Sequence, residues 1–177
     1  MAGRILLTLV ALTTSIGGYL ADWNETHVFN PRWPPHAKFH NGQTMSMGMV
    51  LGLTTLYFLY RPKPQSLFAL PTAVQQTFER DSLATAAWLA SLYWITQLSA
   101  LFYPGSKAMD PEFGDGHPQV YICGVLLTMV VIGTWLEMGK LNRNTESKRK
   151  AANALTSRTR QVKVHEKNFT KFTRIVR

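Results

Sequence analysis

The chain has 177 residues, 19 Lys+Arg against 10 Asp+Glu, a formal charge of +9 and 46% hydrophobic residues, averages that would suit a basic soluble domain or a nucleic-acid binder. The positions of the charges remove that reading. From Lys140 to Arg177 lie 12 Lys/Arg and two acids, Glu146 and Glu166, a net +10, while the preceding residues carry seven basic and eight acidic groups, a net −1.

The body before this tail contains four uncharged runs, at 5–21, 42–60, 82–106 and 118–136. A bilayer core about 30 Å thick is crossed by roughly 17 to 25 helical residues at 1.5 Å each, and every run reaches that length. A soluble four-helix bundle would show polar residues at every third or fourth position on its outer face. Stretches such as TLVALTTSI from Thr8, VLGLTTLYFLY from Val50 and GVLLTMVVIGTWL from Gly124 carry no charged face. The predicted fold class is all-α, an integral membrane four-helix bundle in residues 1–139 followed by a basic cytosolic tail at 140–177.

The first run, behind Arg4, also has the outline of a secretory signal peptide. Its apolar stretch exceeds the usual h-region of about 7 to 15 residues, so an uncleaved helix is expected. Cys123, the single cysteine, lies inside the fourth run and has no partner for an intramolecular disulfide. Positive charge in short loops sets orientation. With the N-terminus in the cytosol, Arg4, the loop residues Arg61, Lys63 and Arg80, and the tail are all inside, whereas Arg32, Lys38 and Lys107 are outside. Both termini are therefore expected in the cytosol, with the host membrane the endoplasmic reticulum or a related endomembrane.

This topology collects His27, His36, His40 and His117, with Asp22, Glu25, Asp110, Glu112 and Asp115, on the lumenal side. No ionisable residue falls in the central turns of a span, which argues against a proton-coupled transporter. The first lumenal loop holds Pro31, Pro34 and Pro35, which fix φ and order its turns. Trp23 and Trp33 suit the headgroup region, and with Asn30 they are the expected substrate contacts. His36 and His40, spaced i, i+4 behind Pro34-Pro35, would share a face if that turn were helical. A metal site needs three or four ligands, which His27 and His117 would complete if the two loops folded together; metal-free chemistry is the expectation, with no cofactor.

Asp22 stands where the first helix leaves the hydrocarbon, and the expected catalytic residues are Asp22, His27, His36, His40 and His117. The second loop, with Asp110-Pro111 and Gly114-Asp115-Gly116, reads as a solvated turn and lacks the ligand alternation of a calcium loop. His117, just before Pro118, is its member expected to face the bundle. Asn24-Glu25-Thr26 is a lumenal glycosylation sequon close to the membrane, and Asn168-Phe169-Thr170 is its cytosolic counterpart. Gly48 and Gly52, with Gly17-Gly18, permit close helix contact. In the tail, Phe169, Phe172 and Ile175 or Val176 recur among Lys167, Lys171, Arg174 and Arg177, a pattern suited to an anionic lipid surface. Membrane lipids and an apolar small molecule are the expected partners, and nucleic acid is not.

The run GYLADWNETHVFNPRWPPHAKFHNG, Gly18 to Gly42, resembles a family of small fungal four-span membrane proteins, mostly uncharacterised, whose members often carry an acetyltransferase label. These residues give that label no basis, since no coenzyme A phosphate loop is recognisable. The outline is similar to small membrane proteins beside polyketide and terpenoid pathway enzymes, including membrane terpene cyclases and epoxide hydrolases. That resemblance implies acid/base chemistry on an apolar small molecule, such as epoxide hydrolysis, isomerisation or cyclisation, with Asp22 acting beside His27, His36 or His40. The competing expectation is a non-enzymatic adaptor with a lipid-binding tail.

Overall fold

A computed structural model describes the backbone of residues 2–175 and the side chains of residues 2–161. The described residues form four α-helices and no strand: α1 Ala2–Asp22, α2 Pro35–Tyr60, α3 Thr72–Ser99 and α4 Pro118–Ile175, with short 3₁₀ turns at Gln65–Ala69, Ala100–Phe102 and Pro111–Phe113. The tail side chains from Phe169 to Arg177 read above as a lipid-binding face lie outside the described side chains. The chain divides into two compact units, Met1–Met138 and Gly139–Arg177.

Hydropathy located the helices but not their ends. α2 starts at Pro35 rather than at 42, because proline suits the first helical position, where no N–H is needed. α3 starts at Thr72 rather than at 82, directly after Pro71, and so takes Glu79, Arg80 and Asp81 into its early turns. It gives way at Ser99 to the 3₁₀ turn Ala100–Phe102, short of the expected 106. α4 runs past 136 to Ile175 through a segment without a proline to stop it.

The first unit is organised around α1, whose Leu7, Val10, Ala11, Thr14 and Ser15 are buried. Helix α2 crosses it at two glycines: a Cβ on Gly52 would stand 2.8 Å from the Ser15 backbone nitrogen, and one on Gly48 would stand 2.9 Å from the Thr14 carbonyl oxygen. The first turns of α1 meet α4 through a second glycine pair, with a Cβ on Gly133 2.9 Å from the Gly3 carbonyl oxygen. Such close approach gains van der Waals contact between the helix backbones. α3 joins through Trp94, whose indole N–H donates to Thr14 Oγ1 at 2.9 Å while the threonine hydroxyl donates to the Val10 carbonyl at 2.8 Å.

Polar residues close one end of this unit. Glu137, 6% exposed, accepts the Arg4 backbone N–H at 3.3 Å and lies 3.9 Å from the Arg4 guanidinium. A carboxylate there satisfies an amide that the first turn of α1 leaves unpaired and opposes the positive end of its dipole. The Thr8 and Tyr60 hydroxyls are 2.6 Å apart. Arg61 lies between the rings of Phe58 and Phe78, at 4.7 and 4.3 Å, and donates to Ser82 Oγ.

Among the described residues two helices are long and apolar enough to cross a membrane, α1 and the Pro118–Gln161 part of α4. Only 28% and 22% of their apolar windows are buried, whereas a core helix of a soluble protein would be mostly covered. Four such helices were expected. α2 and α3 fall short because their uncharged stretches are themselves diluted by polar side chains, Gln43, Thr44, Ser46, Thr54 and Thr55 in α2 and Ser82, Thr85, Ser91, Thr96 and Gln97 in α3. Gly52→Ala is expected to lower stability by about 1–3 kcal/mol through overpacking against the α1 backbone. Gly124→Ala, whose Cβ meets nothing within 4 Å, is expected to be neutral or stabilising, and thermal unfolding in detergent measures both.

Candidate functional site

At the opposite end of the first unit, α1 finishes at Asp22 and the chain turns back through Asn24 to Asn30. Asn24 makes the turn: its Nδ2 donates to the Ala21 carbonyl at 2.7 Å, and its Oδ1 accepts the Thr26 backbone N–H at 2.8 Å. This pair of bonds assigns the amide orientation. The Thr26 hydroxyl, 2.6 Å from Asn24 Oδ1, must therefore donate to it. With its one proton committed there, the same hydroxyl can only accept from His27 Nδ1, 2.6 Å away. His27 accordingly carries its proton on Nδ1 when neutral, and Nε2 is the basic nitrogen.

Asp22 lies behind the protonated nitrogen, with Oδ1 3.7 Å from His27 Nδ1. Its other oxygen accepts the Asn41 Nδ2–H from α2 at 2.9 Å. Trp33 packs edge-on against the imidazole with centroids 4.9 Å apart, restricting the ring. A carboxylate behind Nδ1–H holds one tautomer and supplies a counter-ion for the charge formed when Nε2 takes a proton, which is the orienting logic of base-and-carboxylate pairs in hydrolases.

Asp22 and His27 lie on the wall of a cavity of about 640 Å³, within the roughly 300–1,000 Å³ range of sites for drug-sized molecules. Trp94, Ile122 and Ala100 supply apolar wall, and Tyr93, Gln97 and Gln119 add polar groups. Gly18 faces Tyr93: a Cβ there would stand in ordinary van der Waals contact with the tyrosine hydroxyl, 3.5 Å away. Gln119 Nε2 donates to the Ala108 carbonyl at 2.7 Å, so its Oε1 is the carbonyl oxygen. That oxygen, Gln97 Oε1 and Asn41 Oδ1 are buried without a hydrogen-bond partner.

Of the residues singled out in the sequence, Asp22 and His27 share the cavity wall, and His36, His40, His117, Trp23, Asn30 and Trp33 are not among its lining. His36 and His40 do share a helical face, with Nε2 atoms 3.1 Å apart, but both are exposed. His117 is exposed before α4. Among the described residues no group of three or more His, Cys, Asp or Glu could hold a metal ion, so the loop histidines do not assemble the set a metal reading requires. Trp23, 57% exposed, stacks on Tyr19 at 6.1 Å.

Asn30 is 1% exposed and serves the loop itself, donating to the Thr26 carbonyl at 3.3 Å and accepting the Arg32 N–H at 3.0 Å. Sequence reasoning missed Tyr93, Gln97 and Gln119 because it searched for ionisable groups. The available signal was that 82–106 and 118–136 contain one glutamine each and no asparagine. Asn30→Ala should destabilise the protein by about 1–3 kcal/mol, the usual cost of leaving a buried loop amide and carbonyl unpaired, as measured by thermal unfolding.

No curated protein and no solved structure matches the chain. A family model described as a family of unknown function, DUF6640, matches residues 6–149, which take in most of α1, all of α2 and α3, the cavity-lining residues from Thr13 to Ile122 and the Asp22–His27 pair. The match covers most of the sequence, and the chain belongs to that family.

Proposed function

We propose that this protein is a four-span membrane enzyme that performs acid/base chemistry on an apolar small molecule held at the lumenal end of its bundle. The observation that carries the reading is the Asp22–His27 pair on the wall of the 640 Å³ cavity, with Nε2 left as the basic atom. In this reading His27 Nε2 removes a proton from the bound substrate or from water, Asp22 holds the ring, and the Tyr93 hydroxyl is the group on the same wall able to return a proton. Nothing is oxidised or reduced, which fits epoxide hydrolysis, isomerisation or cyclisation. General acid/base catalysis of this kind contributes roughly 10²–10⁴-fold.

The four-span reading is supported by the outward faces of the helices. Ile5, Leu9, Leu12, Ile16 and Leu20 form an exposed stripe on α1, and Val50, Leu53 and Tyr57 on α2, Trp88 and Ile95 on α3, and Val125, Ile132 and Trp135 on α4 are exposed as well. Apolar outward stripes of this kind suit lipid contact. Arg4 and Arg61 lie at the Glu137 end of the unit, away from Asp22, and 16 of the 19 Lys/Arg lie in α1's first turn, in the α2–α3 connection, in the early turns of α3 or after α4's apolar part. That distribution favours cytosolic termini.

Apolar extracts of cells producing equal amounts of each protein test the chemistry. Asp22→Asn and His27→Gln should each reduce product about 10²-fold or more, while His40→Ala should retain it; full activity in both of the first two variants would sink the assignment. Topology is read in sealed, cytosol-side-out vesicles with a membrane-impermeant maleimide. Ser147→Cys should label at once and Lys107→Cys only after permeabilisation, against a low background because Cys123 is buried; early labelling of Lys107→Cys would reject the four-span topology.

A further inference from the structure

The unpaired polar groups of the cavity are predominantly acceptors. Gln97 Oε1 and Gln119 Oε1 are buried on residues of its wall and have no partner. Gln119 cannot be relieved by rotating its amide, because its Nε2 already donates to Ala108. His27 adds Nε2, the acceptor left by its assigned tautomer, and Asp22 adds a carboxylate with one bond from Asn41 and the other oxygen turned toward His27.

Of the four hydroxyls on the same wall, those of Thr44 and Thr96 are committed to their own helices, and those of Thr13 and Tyr93 leave Gln97 Oε1 and Gln119 Oε1 without a donor all the same. Thr44 Oγ1 donates to the His40 carbonyl at 3.0 Å and Thr96 Oγ1 to the Leu92 carbonyl at 2.8 Å. A buried acceptor without a donor is unfavourable, and two are carried by residues of this one cavity wall.

We infer that the cavity's ligand is an apolar molecule bearing a hydroxyl group, whose single O–H donates to the Gln97 or the Gln119 carbonyl while its hydrocarbon lies against Trp94 and Ile122. The inference rests on the cavity being a ligand site, as the proposed function also requires, and it names the ligand's chemical class. A ligand lacking a donor, such as a hydrocarbon or an ether, leaves the amide oxygens unpaired and is discriminated against. Sites built to hydrogen-bond a hydroxyl reject the analogue without it far more strongly than sites that read shape alone.

The test uses the purified full chain in detergent and three probes of equal chain length: dodecan-1-ol, its methyl ether and dodecylamine. The concentration of each that raises the melting temperature by a fixed amount is compared between the wild type and the Gln97→Leu/Gln119→Leu variant, which keeps side-chain size. Dodecan-1-ol is expected to act on the wild type at a concentration at least about fivefold below that of the ether, the scale of one net hydrogen bond. The two should become equivalent in the double variant. Equal potency of alcohol and ether on the wild type would overturn the inference, as would an alcohol preference undiminished in the double variant. Strongest stabilisation by the amine, lost in Asp22→Asn, would replace the hydroxyl ligand with an ammonium one. Failure of all three probes to stabilise the wild type would reject the cavity as a site for such molecules and remove the proposed function's support too, whereas equal potency leaves that support intact. If the double variant does not fold, Gln119→Leu alone should narrow the alcohol-to-ether ratio, and an unchanged ratio counts against the inference.

Discussion

The structure of the first unit depends on how closely α1 can be approached. At Gly48 and Gly52 on α2, and at Gly3 and Gly133 on α1 and α4, a single Cβ would come within 3 Å of a neighbouring atom, so these crossings are set by backbone contact. The buried face of α1 is made of Leu7, Val10, Ala11, Thr14 and Ser15, small or compact residues that do not force the neighbours away. Trp94 can then reach Thr14, and its ring fills the space between α1 and α3. Toward Asp22 the same economy of side chains has another result. Gly17 and Gly18 present no side chain where Tyr93 and Trp94 turn inward, and the cavity occupies the space that remains. Tight crossing and open cavity are consequences of one pattern of small residues on one helix.

Two carboxylates occupy the two ends of this arrangement and are held differently. Glu137 is nearly enclosed and is engaged by the Arg4 backbone amide and guanidinium, interactions that tie the first turn of α1 to α4. A buried charge is tolerable when it is paired and hydrogen-bonded in this way. Asp22 is supported by one Asn41 amide hydrogen and faces His27 at 3.7 Å. It borders open volume instead of packed side chains. The first carboxylate is an anchor of the fold, and the second is the one that the proposed chemistry would use.

The sequence located the four helices because uncharged runs of membrane-spanning length are a strong signal, yet it misplaced the starts of α2 and α3. Hydropathy records where charge ends, while a helix begins where backbone geometry permits, here at Pro35 and after Pro71. Asp22 was legible because the end of an apolar run puts it at a helix terminus, and His27 followed from being close behind it. The prominence of His36 and His40 was a matter of i, i+4 spacing, which brings their rings together but does not bring them to the cavity. Asn30 was taken for a substrate contact because composition cannot distinguish an amide that binds a ligand from one that binds its own loop. Tyr93, Gln97 and Gln119 were overlooked since none is charged at neutral pH, although in an apolar helix an isolated amide demands a partner as surely as an ion does.

The position of the polar cluster also bears on the chemistry. An ionisable group at the centre of a bilayer is strongly disfavoured, so a membrane protein that needs a carboxylate and an imidazole does best to hold them at a helix end, where the chain can add loop partners. Asp22 closes α1, and Asn24, Thr26 and Trp33 of the following loop fix the hydrogen bonding and packing of His27. Gln97 and Gln119, near the end of α3 and the start of α4, border the same cavity. A ligand of the inferred class would lie with its hydrocarbon against Trp94 and Ile122 and its hydroxyl at the Gln97 or Gln119 carbonyl. The Asp22–His27 pair borders the same volume, so the proposed chemistry needs no charge at mid-membrane to reach such a ligand.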